Sequence, residues 1–217
     1  YLGNAFDMDP ERITSKFLGR VKDMGFDGIE LGIECLEKIN GGEKGIKEFA
    51  KKLEDHGTPL LALRSGGLMI DPKYGEDNYK RIISSFKFAE FFNTKLINGA
   101  ISIPEKSPYL DTGTELISSE WVAHAGLPFS QNSSRETTLP EYELLAKKYS
   151  EVCDVAKEFD ISISCEVHQN SPVDNSWSAK LIHKLVNKDN FGINPDLGNI
   201  LWNYDIPEEL CEDAIIE

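Results

Sequence analysis

The chain has 217 residues, 40% of them hydrophobic, which is enough to bury one substantial core and falls within the size of a single large α/β domain. Its formal charge of −14, with no dense Lys/Arg cluster, repels phosphate backbones and anionic bilayers, so neither nucleic acid nor a membrane surface is an expected partner. Cys35, Cys153, Cys165 and Cys211 are scattered without a C-x-x-C pair, and no segment approaches a bilayer span or a signal peptide; a cytoplasmic protein with reduced thiols is expected.

Residues 2–6 form a candidate first strand. Asp9 and Pro10 then supply a helix N-cap and a first helical residue, and Ile13, Phe17, Val21 and Met24 continue at helical spacing to Gly25. Residues 26–31 read as the second strand, followed by a helix with Ile46, Phe49, Ala50 and Leu53 on one face, ended by Gly57. The alternation continues with residues 59–63 as strand, Tyr79 to Phe92 as helix, and residues 95–98 as a fourth strand.

Residues 100–139 form an unusually long connection, about forty residues where two to six are usual, and loops of that length tend to be functional. A helical stripe from Tyr142 to Ala156 leads to the strand at Ile161, a helix through Leu181, Ile182 and Leu185 leads to Phe191, and a last helix starts near Pro207. These are six βα units. Regular alternation predicts a parallel sheet, either an open doubly wound sheet or a (β/α)8 TIM barrel truncated before strands seven and eight. Neither G-x-G-x-x-G after the first strand nor a P-loop is present, and Gly41-Gly-Glu-Lys-Gly45 has the wrong spacing, which favours the barrel, a single domain over 1–217. Tyr1 in place of Met, and a helix-like pattern running to Glu217, lead us to expect that both ends are cut.

Glu166 and Asp196 end two short apolar runs about thirty residues apart, the spacing of one strand, helix, strand unit, so both carboxylates are expected on one edge of the sheet. Barrel active sites lie at that edge, and two carboxylates there suit a shared divalent cation. Each acid alone also fits a loop cap or a surface position. His168 follows Glu166 and Asn199 follows Asp196 on the same edge. His168 reads as a substrate contact ahead of a ligand to the ion, with an inert hydrogen bond to a neighbouring loop as its alternative. Arg64 follows the third strand, where it could hold a hydroxyl, carboxylate or phosphate, or pair with Glu30. The long connection carries Trp121 and His124, an aromatic lid with one titratable group near neutrality. His56, at a helix C-terminus, and His183, within a helix, read as structural.

Three segments together, Phe26-Asp-Gly-Ile-Glu30-Leu31, Cys165-Glu166-Val-His168 and Asn194-Pro-Asp196-Leu-Gly-Asn199, resemble the xylose isomerase-like barrels over nearly the whole chain. That resemblance implies a divalent-metal-dependent sugar isomerase or epimerase that abstracts a proton beside a sugar carbonyl through an enediolate. It implies Glu166 and Asp196 as two of four ligands, with Glu166 also as acid or base. The His and Glu that complete the family's set would lie beyond Glu217 or come from another chain. The implied metal is Mn²⁺ first, with Zn²⁺, Mg²⁺ or Co²⁺ as alternatives.

Asn199 stands where many members place a substrate-binding His, and with Arg64, His168 and Trp121 it completes the expected substrate contacts. The long fourth loop resembles that of C-glycoside deglycosidase catalytic subunits. This second reading implies a lyase acting on 3-oxo-C-glycosides, with His124 as base and a partner β subunit. A homo-oligomer, and a non-catalytic or regulatory barrel, are the remaining readings.

Overall fold

Strands β1 (Ile29–Gly32), β2 (Leu60–Arg64), β3 (Leu96–Ala100), β4 (Ser162–Glu166) and β5 (Phe191–Asn194) pair in parallel, in the order of the sequence. The computed structural model describes residues 9–71, 74–100, 134–135, 137–168 and 171–201. A doubly wound sheet would reverse its strand order at a switch point. The uninterrupted order here is that of a barrel wall, and the sequence expectation of a barrel over an open doubly wound sheet holds for the described strands.

Helix α1 (Ser15–Asp23) precedes β1, helices α2 (Ile33–Glu37), α3 (Gly42–Asp55), α4 (Gly75–Phe92), α5 (Leu139–Lys157) and α6 (Ser176–Val186) lie between the strands, and α7 (Leu197–Leu201) follows β5. Consecutive long helices pack side by side, α3 on α4, α4 on α5 and α5 on α6. None of the described helices is long and apolar enough to cross a membrane.

Strand alternation separates two environments. Leu31, Leu63, Ile97, Ile163 and Phe191 fall in one register row, and all five are buried beneath the helices. Burial of each such side chain contributes about 1.5–3 kcal/mol. The next row is Gly32, Arg64, Asn98, Ser164 and Gly192, on the opposite, concave face. Barrel interiors are ordinarily filled by branched apolar residues. Here the concave row is polar or small, and that contrast marks the site.

Local chemistry fixes the helix ends. In the capping box of α5, the backbone N–H and the hydroxyl of Thr138 both donate to Glu141, at 2.7 and 2.8 Å. Asn175 Oδ1 accepts the Ser178 N–H at 2.9 Å to start α6. Asn93 and Asn187 end α4 and α6 in the left-handed region, with φ of 51° and 48°. After β2 the chain turns sharply at Gly67, φ +149°, where an added Cβ would lie 2.5 Å from Asn78 Cγ. Asn78 in turn donates to Leu68 O at 3.0 Å, so the turn is packed against its own support.

Three expectations need correction. The continuous helix expected from Pro10 to Gly25 is instead a 3-10 turn, Pro10–Arg12, and the separate α1. Ile13 leaves helical geometry at ψ 66° to bury its side chain fully, and Thr14 caps α1 by accepting the Phe17 N–H at 3.2 Å. The strand expected from Phe26 begins only at Ile29, because Gly25 turns the chain at φ +84° and Phe26 stays exposed. Helix α2 has no counterpart among the sequence expectations, its five residues being too few to show a period. The candidate strand at residues 2–6, the connection with Trp121 and His124, Cys211 and the helix from Pro207 lie outside the described residues.

Candidate functional site

Glu166 is the last residue of β4, opposite Ala100 on one side and Asn194 on the other. Parallel pairing brings the neighbouring strand ends to the same edge, so Asp196, two residues beyond β5, lies beside it. Asp196 Oδ1 accepts the Asn199 N–H at 3.0 Å and its carbonyl accepts the Ile200 N–H at 3.0 Å, so Asp196 caps α7. The capping alternative for Asp196 is therefore observed.

Both oxygens of the Glu166 carboxylate accept amide protons. Asn98 Nδ2 donates to Oε2 at 3.0 Å and Asn199 Nδ2 donates to Oε1 at 3.2 Å. Asn199 Nδ2 also reaches Val167 O at 3.1 Å. The Asn98 amide is oriented by Ser164, whose hydroxyl donates to Asn98 Oδ1 at 2.9 Å, and it makes a longer contact to Glu30 Oε2 at 3.4 Å. Glu30 meets Arg64 at 3.8 Å, both about one-third exposed, which is the ion pair weighed for Arg64 from the sequence. A chain of polar contacts thus runs from Arg64 through Glu30, Asn98, Glu166 and Asn199 to Asp196.

Burial pushes the Glu166 carboxyl above the usual carboxylate range, and the negative charge of Asp196 pushes it further. The Asn98 amide, the Arg64 guanidinium and the Asn199 amide oppose the rise. Two carboxylates held close enough to repel one another form a donor set that a hard divalent cation would relieve. The residues present fit two positions of such a site. Among the described residues no cluster of three or more His, Cys, Asp or Glu side chains gathers around a common point.

A cleft of about 500 Å³ runs along the concave face beneath these groups, lined by Glu30, Asn98, Ser164 and Asn194 among others. His168 sits past β4, half-buried, and its backbone N–H donates to Val173 O at 2.9 Å to close the loop before α6. In that loop the buried Asp174 accepts the Ser134 N–H at 3.2 Å, and Asn175 Nδ2 donates to Ser134 Oγ at 2.8 Å, which fastens the end of the long connection beside β4.

Glu166, Asp196, Asn199 and Arg64 thus come to one edge, with His168 in the adjoining loop; Trp121 and His124 are outside the described residues. Sequence reasoning missed Asn98 and Ser164. Their signal is a polar residue at alternate positions of otherwise apolar strands, Ile97-Asn98 and Ile163-Ser164-Cys165-Glu166, on the face a barrel normally packs with aliphatic side chains. Cys35, Cys153 and Cys165 are buried thiols, and among the described residues none of them is in a disulfide.

The sequence profile described as xylose isomerase-like TIM barrel matches residues 18–216. No curated protein matches the chain. Among solved structures, a xylose isomerase-like TIM barrel protein from Mycobacterium smegmatis, in complex with magnesium, is 21% identical at a TM-score of 0.63, over 90% of this chain and 59% of that one. D-psicose 3-epimerase from Clostridium cellulolyticum H10, with D-tagatose, is 16% identical at 0.66, over 97% and 65%. The 3-keto-D-glucoside 4-epimerase YcjR from E. coli is 14% identical at 0.64, over 93% and 70%. The chain spans about three fifths of the length of the first of these, and likeness at such identities establishes the fold.

Proposed function

This chain belongs to the xylose isomerase-like TIM barrel family, and from that premise we propose that it is the larger part of a divalent-metal-dependent sugar isomerase or epimerase. The observation that carries the reading is the pair of carboxylates, Glu166 and Asp196, at the C-terminal ends of adjacent parallel strands and joined through Asn199. The epimerases among the structural neighbours support a sugar substrate, and the neighbour solved with magnesium supports a divalent ion.

Glu166 and Asp196 would hold the cation, which when bound supplies a Lewis acid that polarises the sugar carbonyl. Glu166 takes the proton from the adjacent carbon; the C–H electron pair becomes the new carbon–carbon π bond, the C=O π pair moves to the carbonyl oxygen, and an enediolate of the substrate remains. Protonation of the opposite face by a second acid gives the epimer, and return of the proton from Glu166 to the neighbouring carbon gives the isomer. Glu30 and Arg64 line the concave face where sugar hydroxyls would need both acceptors and donors. His168 contributes from the adjoining loop.

The test is solvent exchange. The metal-loaded full-length protein, incubated in D₂O with a panel of ketoses, is expected to place deuterium on the carbon beside the carbonyl, and Glu166→Gln is expected to abolish it. Wild-type protein that carries Mn²⁺ yet neither exchanges that hydrogen nor converts any ketose would remove this assignment.

A further inference from the structure

Glu166 is gripped from both flanks of its strand. Asn98 comes from β3 on one side and Asn199 from within α7, beyond β5, on the other, and each donates to a different carboxylate oxygen. We propose that Asn98 and Asn199 are positioning residues, a two-point amide clamp that fixes the plane of the Glu166 carboxylate and the direction in which its remaining lone pairs face. The consequence for catalysis rests on the role proposed above for Glu166; the clamp itself rests on geometry.

Three features separate the clamp from ordinary satisfaction of polar groups. Asn98 is 2% exposed and sits in the register row between Arg64 and Ser164, on a face where an aliphatic side chain of similar volume would pack. Its amide orientation is set from behind: Ser164 donates to Oδ1, which obliges Nδ2 to face the carboxylates. Asn199 serves both acids at once, with its backbone N–H on Asp196 Oδ1 and its side chain on Glu166 Oε1. A carboxylate has about four acceptor positions. With one used on each oxygen, the rest are left in a fixed orientation for a cation or a substrate proton, and one residue sets the separation of the two acids.

Two measurements on the full-length protein test this. In the metal-free protein, the side-chain ¹H–¹⁵N resonances of Asn98 and Asn199 are expected to move when Glu166→Gln removes the charged acceptor. The resonance of Asn190, whose amide donates to Cys153 O and Ile161 O, is expected to stay. Unmoved Asn98 and Asn199 resonances overturn the clamp.

In the second, Mn²⁺ affinity is measured by electron paramagnetic resonance for Asn98→Ala and Asn199→Ala. Each is expected to weaken binding about tenfold, the usual scale for partners that orient a ligand. In a Glu166→Asp background, whose shorter carboxylate is withdrawn from both amides, the same changes are expected to cost less than about twofold, because coupled effects vanish when the shared partner is removed. Equal losses in both backgrounds would mark a general structural effect and overturn the proposal. Wild-type protein that binds no Mn²⁺ refutes the metal assignment above, and the resonance shifts then decide the clamp by themselves.

Discussion

Asn98 and Glu166 are 68 positions apart in the sequence, yet Asn98 Nδ2 lies 3.0 Å from Glu166 Oε2. The contact exists because β3 and β4 pair with Asn98 opposite Ser164, one step below Glu166 on the same face. Ser164 closes the triangle through Asn98 Oδ1. Ser164→Ala leaves that buried oxygen without its donor and is expected to cost about 1–3 kcal/mol of stability, read from urea denaturation. Since the amide loses its fixed orientation, Mn²⁺ affinity is expected to fall as well. A variant of wild-type stability and affinity would show that Asn98 is held by other means.

Asp196 has two roles that substitution can separate. Asparagine caps a helix about as well as aspartate, so Asp196→Asn keeps the bond to the Asn199 N–H while removing the charge that raises Glu166. Stability is expected to stay within about 0.5 kcal/mol of wild type while metal binding is lost. Asp196→Ala removes the cap too and is expected to cost about 1 kcal/mol more. Isothermal titration and urea melts on the two variants distinguish the roles, and metal binding retained by Asp196→Asn would leave it a cap alone.

The Thr138 and Glu141 box at the start of α5 predicts a pH dependence. The backbone N–H of Thr138 foremost, and its hydroxyl next, hold the Glu141 carboxyl below the usual carboxylate range. Its contribution is therefore present above the unfolded value of about 4.3 and is lost as pH falls through the lowered folded value. Glu141→Gln is expected to destabilise the protein at neutral pH and to match wild type in acid. A stability difference unchanged between the two conditions would contradict the box. Thr138→Ala is expected to cost about 1 kcal/mol at neutral pH.

Burial pushes the Cys153 thiol up to about 12 and the Cys165 thiol higher still, and Cys35 is fully buried. The thiolate is the reactive form, so none of these three is expected to react with a thiol reagent in native buffer, and all are expected to react in denaturant. Peptide mapping by mass spectrometry after native labelling checks this. Rapid native modification of Cys165 would contradict its place behind the β4 wall.

Gly67→Ala meets two penalties, a φ of +149° and a Cβ 2.5 Å from Asn78. A loss of more than about 1 kcal/mol is expected. Because this turn follows directly on Arg64, the Arg64 to Glu30 contact should loosen with it.

Much of the fold is legible along the chain. Leu63, Ile97, Ile163 and Phe191 stand in short apolar runs separated by helical periods, and that repetition is enough to predict parallel strands beneath helices. Glu166 and Asp196 are legible too, since each closes such a run. The short helix α2 and the break at Ile13 are not, because five residues show no period and a single ψ of 66° leaves no trace in composition.

The sequence by itself determined the order of elements and placed two acids at strand ends, since hydrophobic period and turn residues act locally. Only the tertiary structure decided what holds those acids. Strand pairing set the register that lays Asn98 against Glu166, and α7 carries Asn199 to both carboxylates. A hydrogen bond depends on distances of a few tenths of an ångström between segments far apart in the chain, and no local pattern encodes them.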